Sequence, residues 1–349
     1  MQNYCTLFNT NYLTRALVMY DSMVATKAEF HLYIFAFDDT VHDFFKNKYV
    51  KNNITVVSLS ELEDPELLKV KPTRSAGEYC WTSTSSVILY AIEKFQLPSC
   101  TYIDADLYFY SNPNILIEEM GDKSILLTEH RFTKDYLDKL ENGIYCVQFM
   151  TFKNNEPGLK ALRWWREACL DWCYARSEDG KFGDQKYLDD WLLKFEGVHV
   201  LQHLGGGVAP WNVQQYSFFK DQHLVEGVVN KNDQNFTLVF FHFHSLKFYT
   251  NGTVWISNYP TSTSAHALIY QPYVQALIHK QKELTTILPQ KDTMGMIVND
   301  TFLLRYRWTL VLYLYWMDLK MAAKYILGMQ LKKRYEDFNL YPQEHFNKN

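Results

Sequence analysis

The sequence predicts an α/β fold in which a mostly parallel central sheet is flanked by helices, and three observations carry that prediction. Residues 1–130 alternate apolar, strand-like runs with segments of helical spacing, the pattern of parallel strands joined by crossover helices. Three of the strand-like runs close on polar residues, at Phe8-Asn9-Thr10, Asp38-Asp39 and Asp104-Ala105-Asp106. At 349 residues the chain is long enough for one large α/β domain with an appended segment, or for two domains.

The elements follow in order. YCTLF (4–8) reads as a strand, after which Leu13, Ala16, Leu17, Tyr20, Met23 and Val24 recur at the spacing of a helix face. FHLYIFAF (30–37) is the second strand and ITVVSL (54–59) the third. Residues 78–95 form a helix, and CTYID (100–104) is the fourth strand. Ligands in open parallel sheets bind beyond the carboxyl ends of the strands, so the three polar closures are expected to converge on one crevice.

Asp104-Ala105-Asp106, inside TYIDADLYFYSNP (101–113), carries the most chemistry. Residues two apart in a strand point to one side, which lets the two carboxylates share a hard divalent cation. The plain alternative for an acidic pair at a strand end is a solvated turn or a helix cap. FNTNY after the first strand has neither a G-x-G-x-x-G nor a Walker pattern, so phosphate charge must be met otherwise. A cation on the aspartates, with Arg74 or Lys247 nearby, would meet it.

Composition narrows the classes. A net charge of −4 and the lack of a basic, aromatic-interleaved stripe in the first 300 residues speak against nucleic acid. Aromatic residues make up 16% of the chain, which suits sugar-face stacking and equally an aromatic core. YCTLF begins almost at Met1 and leaves no room for a signal peptide, so a cytoplasmic location is expected. Cys5, Cys80, Cys100, Cys146, Cys169 and Cys173 lack the spacing of a zinc site and are not expected to form disulfides; Cys169 and Cys173, one helical turn apart, are expected to be packing thiols.

The second half adds three polar clusters in apolar surroundings. GKFGDQKYLDDW (180–191) sets Asp184 and Gln185 after a glycine turn, at the start of a helix-like segment that Asp184 could cap. HVLQHLGGGVAPWN (199–212) holds Gly205, Gly206 and Gly207 in succession, where the backbone is unusually free or closely approached. LVFFHFHSLKFY (238–249) reads as an apolar strand with His242 and His244 on one side, followed by Lys247.

In this order, DAD, GIYCVQFMTF (143–152), GDQKYLD, HLGGGVAPWN and FHFHSLK make the chain resemble bacterial nucleotide-diphospho-sugar glycosyltransferases of the GT-A fold, related to glycosyltransferase family 8. The resemblance covers about residues 1–275. It implies that Asp104 and Asp106 bind manganese (or magnesium), with His242 completing the sphere and His244 the second choice. It implies further that Phe8, Asn9, Thr10 and Tyr12 surround the nucleobase and ribose, with Ala105 and Gln148 also on the donor side. Arg74 and Lys247 would bind the diphosphate. Asp184 and Gln185 would be the catalytic pair at the sugar, while Gly205, Gly206, Gly207 and Trp211 would border the acceptor or the departing diphosphate. Two departures stand out: Cys146-Val147-Gln148 replaces an Asn-x-Gly or Asn-Val-Gln pattern, and Ser245 replaces a glycine.

The activity this implies is transfer of a hexose from a nucleotide-diphosphate sugar, a UDP-sugar, to a saccharide or lipid-linked acceptor with retention. One rival is a haloacid-dehalogenase-like phosphatase, whose later Gly-Asp-x-x-x-x-Asp pattern Gly183, Asp184 and Asp189 fit. Its Asp-x-Asp belongs after the first strand, however, with Thr or Val where this chain has Tyr108. The other rival is a catalytically silent carbohydrate- or nucleotide-sugar-binding protein, supported by Cys146 and Ser245.

Residues 1–280 are expected to form the catalytic domain, 281–300 a linker, and 301–349 a basic, aromatic helical tail. Between Arg305 and Arg334 lie seven Lys or Arg and only Asp318 against them, around WTLVLYLYWM (308–317), which is too short to span a bilayer. Residues 301–335 therefore suit peripheral contact with the inner face of the cytoplasmic membrane, or packing on the core or a dimer partner.

Overall fold

The first strand, β1 (Gln2–Phe8), alternates its side chains between two cores, which sets the layering of the whole molecule. Tyr4 and Phe8 join one apolar cluster, Cys5 and Leu7 the other. The structure, a computed structural model, describes residues 1–298 and 339–347. After β1 come α1 (Leu13–Ala25), β2 (Phe30–Ala36), β3 (Ile54–Ser58), α2 (Ala76–Lys94) and β4 (Ser99–Ile103). On α1 the predicted apolar face is buried except for Val24, which is exposed. Helix α2 starts in a capping box: the Ser75 hydroxyl accepts from the Glu78 amide, and Glu78 accepts from the Ser75 amide at 2.8 Å.

Three strands and a helix follow, β5 (Leu107–Phe109), β6 (Ile125–Glu129), β7 (Tyr145–Lys153) and α3 (Glu156–Asp171), and β8 (Val198–Val200) completes this half. The central sheet has seven strands in the order β3-β2-β1-β4-β7-β6-β8. Only β7 runs against its neighbours, so the sheet is mostly parallel, as predicted. Helices α2 and α3 cover one face, where Trp165 and Trp191 are fully buried beside Phe152. Helix α1 covers the other face, packing Leu13, Leu17 and Met23 with Leu32, Ile34 and Phe149. Much of the aromatic content is thus core.

Beyond the sheet, β9 (Tyr216–Asp221), β10 (Leu224–Val229) and β11 (Asn235–Thr237) form an antiparallel layer. Strand β12 (Phe240–His242) pairs antiparallel with β5, and β13 (Lys247–Phe248) with β14 (Thr253–Trp255). Helix α4 (Gln271–Ile287) runs through residue 280 without a break, burying Tyr273, Val274, Leu277 and Ile278. Residues Thr293 and Met294 are buried, and β15 (Leu340–Pro342) adds to β14. The rest of the predicted basic tail lies outside the described residues. No helix among the described residues is long and apolar enough to cross a membrane. All six cysteines are free thiols.

Candidate active site

Strand β4 stops at Ile103, and Asp104-Ala105-Asp106 forms the turn into β5. The expectation that strand alternation aligns the two carboxylates is therefore corrected: a turn does it. The Asp104 amide donates to the Gln148 carbonyl at 3.1 Å, and the Leu107 amide donates back to the Asp104 carbonyl at 3.3 Å. Pairing of β5 with β12 sets His242 opposite Leu107, which delivers the imidazole to the turn. His242 Nε2 lies 3.2 Å from Asp106 Oδ1 and 3.6 Å from Asp104 Oδ2. One ligand atom from each of the three residues falls within 4.8 Å of the others.

The three groups share charge tightly. Burial, opposed by His242 and reinforced by Asp106, pushes Asp104 up to about 6. Burial also acts to raise Asp106, but the adjacent His242 outweighs it and holds that carboxyl below its usual value. Burial acts to neutralise His242, yet the field of Asp106 outweighs it and raises the ring well above its usual value. Two carboxylates and an imidazole nitrogen are a donor set for a divalent cation, and the carboxylates are reachable: side-chain exposure is 30% at Asp104 and 14% at Asp106, against 6% at His242.

The run 238–249 is not one strand, which corrects the second expectation. Strand β12 ends at His242; His244 is exposed, and Ser245 takes a left-handed φ of +68° before Lys247 opens β13 on an exposed site. That conformation favours glycine. Among the described residues His244 does not join the cluster of acids. Trp211 is buried, donates its indole N–H to the His130 carbonyl at 2.8 Å, and stands edge-on to His242 at 5.5 Å and His244 at 5.6 Å.

The three glycines are explained by close approach. A Cβ on Gly205 would lie 1.9 Å from the Thr237 carbonyl, one on Gly206 2.6 Å from Leu201 Cδ2, and one on Gly207 2.7 Å from Thr128 Cγ2. The loop is pressed onto the core, with Gly207 next to Gln148. Gln148 is fully buried, and among the described residues neither atom of its amide has a hydrogen-bond partner.

Asp184 does not cap a helix: a single turn of 3-10 helix, Lys186–Leu188, follows it, and Gln185 at the cap position makes no capping bond. Gly183, with φ of +51° against the Trp81 ring, turns the chain inward so that Asp184 is buried. Its carbonyl accepts from the Trp165 indole at 2.8 Å, and burial, then the charge of Asp104, pushes its carboxyl up to about 8. Gln185 Nε2 donates to the Asn142 carbonyl at 2.9 Å. Asp189 accepts from the Ile144 amide at 2.7 Å and pairs with Lys186 at 2.8 Å, an engagement that gives the phosphatase pattern no support.

At the end of β1, Phe8 is buried against Phe45, and Asp38 accepts from the Thr10 amide at 2.7 Å and from its hydroxyl at 2.8 Å. Two of the predicted polar closures are thereby joined. Asn9 accepts from the Tyr12 amide at 3.0 Å. Tyr12 is 43% exposed, and partial burial followed by the field of Asp106 raises its hydroxyl. Arg74 donates to the Leu170 carbonyl at 3.3 Å and lies 4.0 Å over the Tyr174 ring. Arg15, which sequence reasoning missed, is buried 4.9 Å from the Tyr12 ring and donates to the carbonyls of Leu246, at 3.2 Å, and Met294. It also helps hold Asp106 ionised. A lone arginine within the apolar stretch LTRALVMY was the available signal.

Among solved structures, the chain is similar to the galactosyltransferase LgtC in complex with donor and acceptor sugar analogs, at 13% identity and a TM-score of 0.47 over 80% of this chain and 96% of that one. It is also similar to mouse xyloside xylosyltransferase 1, at 13% identity and a TM-score of 0.43 over 70% and 98%. No protein-family model matches the chain. The uncharacterized protein YfnD of Bacillus subtilis (strain 168) is 26% identical over 294 residues, 82% of this chain and 92% of YfnD. The uncharacterized protein YfnF of the same organism is 30% identical over 297 residues, 82% of this chain and 95% of YfnF. With 30% identity sustained over 82% of this chain, the chain belongs to the YfnF family.

Proposed function

We propose that the chain is a metal-dependent glycosyltransferase of the GT-A type that moves a hexose from a nucleotide-diphosphate sugar, a UDP-sugar, to a saccharide or lipid-linked acceptor, with retention. The observation that carries this reading is the cluster of Asp104, Asp106 and His242 beyond the end of a parallel strand, where ligands of such sheets bind. These three residues would hold the ion, Mn2+ or Mg2+; when bound, it offsets the charge that builds on the diphosphate as the anomeric bond breaks.

The remaining roles fall to the chain's own side chains. Phe8, Asn9, Thr10 and Tyr12 receive the nucleoside; the bond between Thr10 and Asp38 fixes that loop to the next strand. Lys247, exposed at the start of β13, and Arg74, which lies over the Tyr174 ring, are the two diphosphate cations of this reading. Ala105 and Gln148 face the donor sugar from the turn and from β7. Asp184, held protonated by burial, hydrogen-bonds a sugar hydroxyl, and Gln185, anchored through its nitrogen, offers its amide oxygen to the anomeric carbon. Gly205, Gly206, Gly207 and Trp211 form the wall against the acceptor.

The test is turnover of UDP-hexoses with Mn2+ and simple saccharide acceptors, with the anomeric proton of the first product read by NMR. An α-linkage from an α-donor supports retention; a β-linkage removes it.

A further inference from the structure

Residues 292–297, between α4 and β15, are bound to the start of α1 although they lie far along the chain from it. The Thr14 amide donates to the Thr293 carbonyl at 2.9 Å, and the hydroxyls of the same two residues meet at 2.9 Å. Asp292 shapes the segment, its carboxylate accepting from the amides of Met294 at 3.0 Å, Gly295 at 2.9 Å and Met296 at 2.6 Å. Gly295 turns at a φ of +67° against Asn11, whose carbonyl oxygen a Cβ there would meet at 3.2 Å. The other end is tied to β13 and the turn after it: the Ile297 amide donates to the Phe248 carbonyl at 2.9 Å, and the Thr250 amide to the Ile297 carbonyl at 3.1 Å. The segment is thus a strap from the loop after β1 to the strand that Lys247 opens. Arg15 lies where these pieces meet. Its guanidinium donates to the Met294 carbonyl in the strap and, at 3.2 Å, to the carbonyl of Leu246, and it stands 4.9 Å from the Tyr12 ring. The residue is 5% exposed, and among the described residues both of its hydrogen-bond partners are backbone carbonyls. Burying a guanidinium is costly, and what it offers in return is a planar fork that aims several donors in fixed directions.

We propose that Arg15 is the positioning residue of the nucleoside subsite: its fork joins the strap to the residue before Lys247 and braces the Tyr12 ring. The inference rests on the reading that Phe8, Asn9, Thr10 and Tyr12 receive the nucleoside of the donor. Tyr12 is exposed where a base can reach it, whereas Arg15, being buried, acts through Tyr12 and through the backbone of Leu246 and Met294. The cluster of Asp104, Asp106 and His242 is assembled separately, by the pairing of β5 with β12, so binding of a cation alone does not depend on the fork. A lysine at position 15 keeps the charge, but its single nitrogen does not reproduce the fork.

The experiment is calorimetric titration of the full chain, Arg15→Lys and Asp292→Ala with UDP at saturating MnCl2 and, separately, with MnCl2 alone. The metal-free melting temperature serves as a control on folding. Asp292→Ala leaves Arg15 in place and loosens the strap from an exposed position. The expected result is UDP affinity about tenfold lower in Arg15→Lys and about threefold or more lower in Asp292→Ala, because a loosened subsite must be ordered on binding. Affinity for Mn2+ alone is expected to stay close to the parent in both. Parent-like UDP affinity in either variant overturns the proposal; in Arg15→Lys it would mean that charge alone suffices. Equal losses of UDP and Mn2+ affinity also overturn it, since they would mark general damage to the fold. If Arg15→Lys does not fold, Asp292→Ala decides by the same criteria. If the parent chain binds no UDP in the presence of Mn2+, the donor reading fails and this inference with it, an outcome distinct from the others.

Discussion

His242 Nε2 stands 3.2 Å from Asp106 Oδ1 although the two residues belong to widely separated parts of the chain. The contact exists because β12 adds antiparallel to β5 immediately after the acidic turn. The short sheet thus has a chemical consequence: it sets an imidazole against the acidic pair and completes a candidate three-ligand cluster.

Substituting Asp106→Asn or His242→Ala is expected to lower kcat by about 100- to 1000-fold, the scale seen when one group stabilising developing negative charge is removed. Activity assays at saturating Mn2+ and donor check this, and a loss below about tenfold would contradict the assigned role.

Asp184 makes the metal-free protein sensitive to pH. Its folded pKa of about 8 lies above the usual carboxylate value, so between about pH 4 and 8 the native state binds more protons than the unfolded state. Stability is therefore full below pH 4 and falls as the pH rises through this window, by up to about 4 kcal/mol at pH 7. Asp184→Asn should flatten that part of the profile and raise the neutral-pH melting temperature with chelator present. Parallel profiles for parent and variant would refute it.

Gln148 keeps an unpartnered amide in the core, which costs about 1–3 kcal/mol. Gln148→Met should stabilise the free protein by about 1–2 kcal/mol in urea unfolding and raise the donor KM. A stabilised variant with unchanged KM would remove Gln148 from the donor site.

Backbone demands separate two glycine positions. Gly205→Ala forces a Cβ against the Thr237 carbonyl and should destabilise the fold by about 1–3 kcal/mol or more. Ser245→Gly should stabilise it by about 0.5–1 kcal/mol, because φ there is +68°. Urea midpoints measure both; a neutral Gly205→Ala would mean that the loop can lift off the core.

The parallel sheet was legible because buried strands and an amphipathic helix write their periods into the chain: β1 to β4 begin and end within two residues of their predicted bounds. The aspartates and His242 were legible as residue types at strand ends. Their geometry was not, since periodicity does not mark where a strand breaks: the turn at Asp104 and the φ of Ser245 depend on the long-range pairing of β5 with β12. Arg15 was hidden for the same reason, its surroundings being defined by partners distant in sequence. For Arg74 the charge was legible, whereas its contact with Tyr174 was not.

The most direct measurement is the melting temperature of the full chain with UDP, with and without Mn2+, beside Asp104→Asn, Asp106→Asn. Binding to the native state raises it by linkage, so the account predicts a Mn2+-dependent rise with UDP in the parent and none in the double variant. A chain that UDP and Mn2+ leave unmoved, or a rise that survives loss of both aspartates, would contradict it.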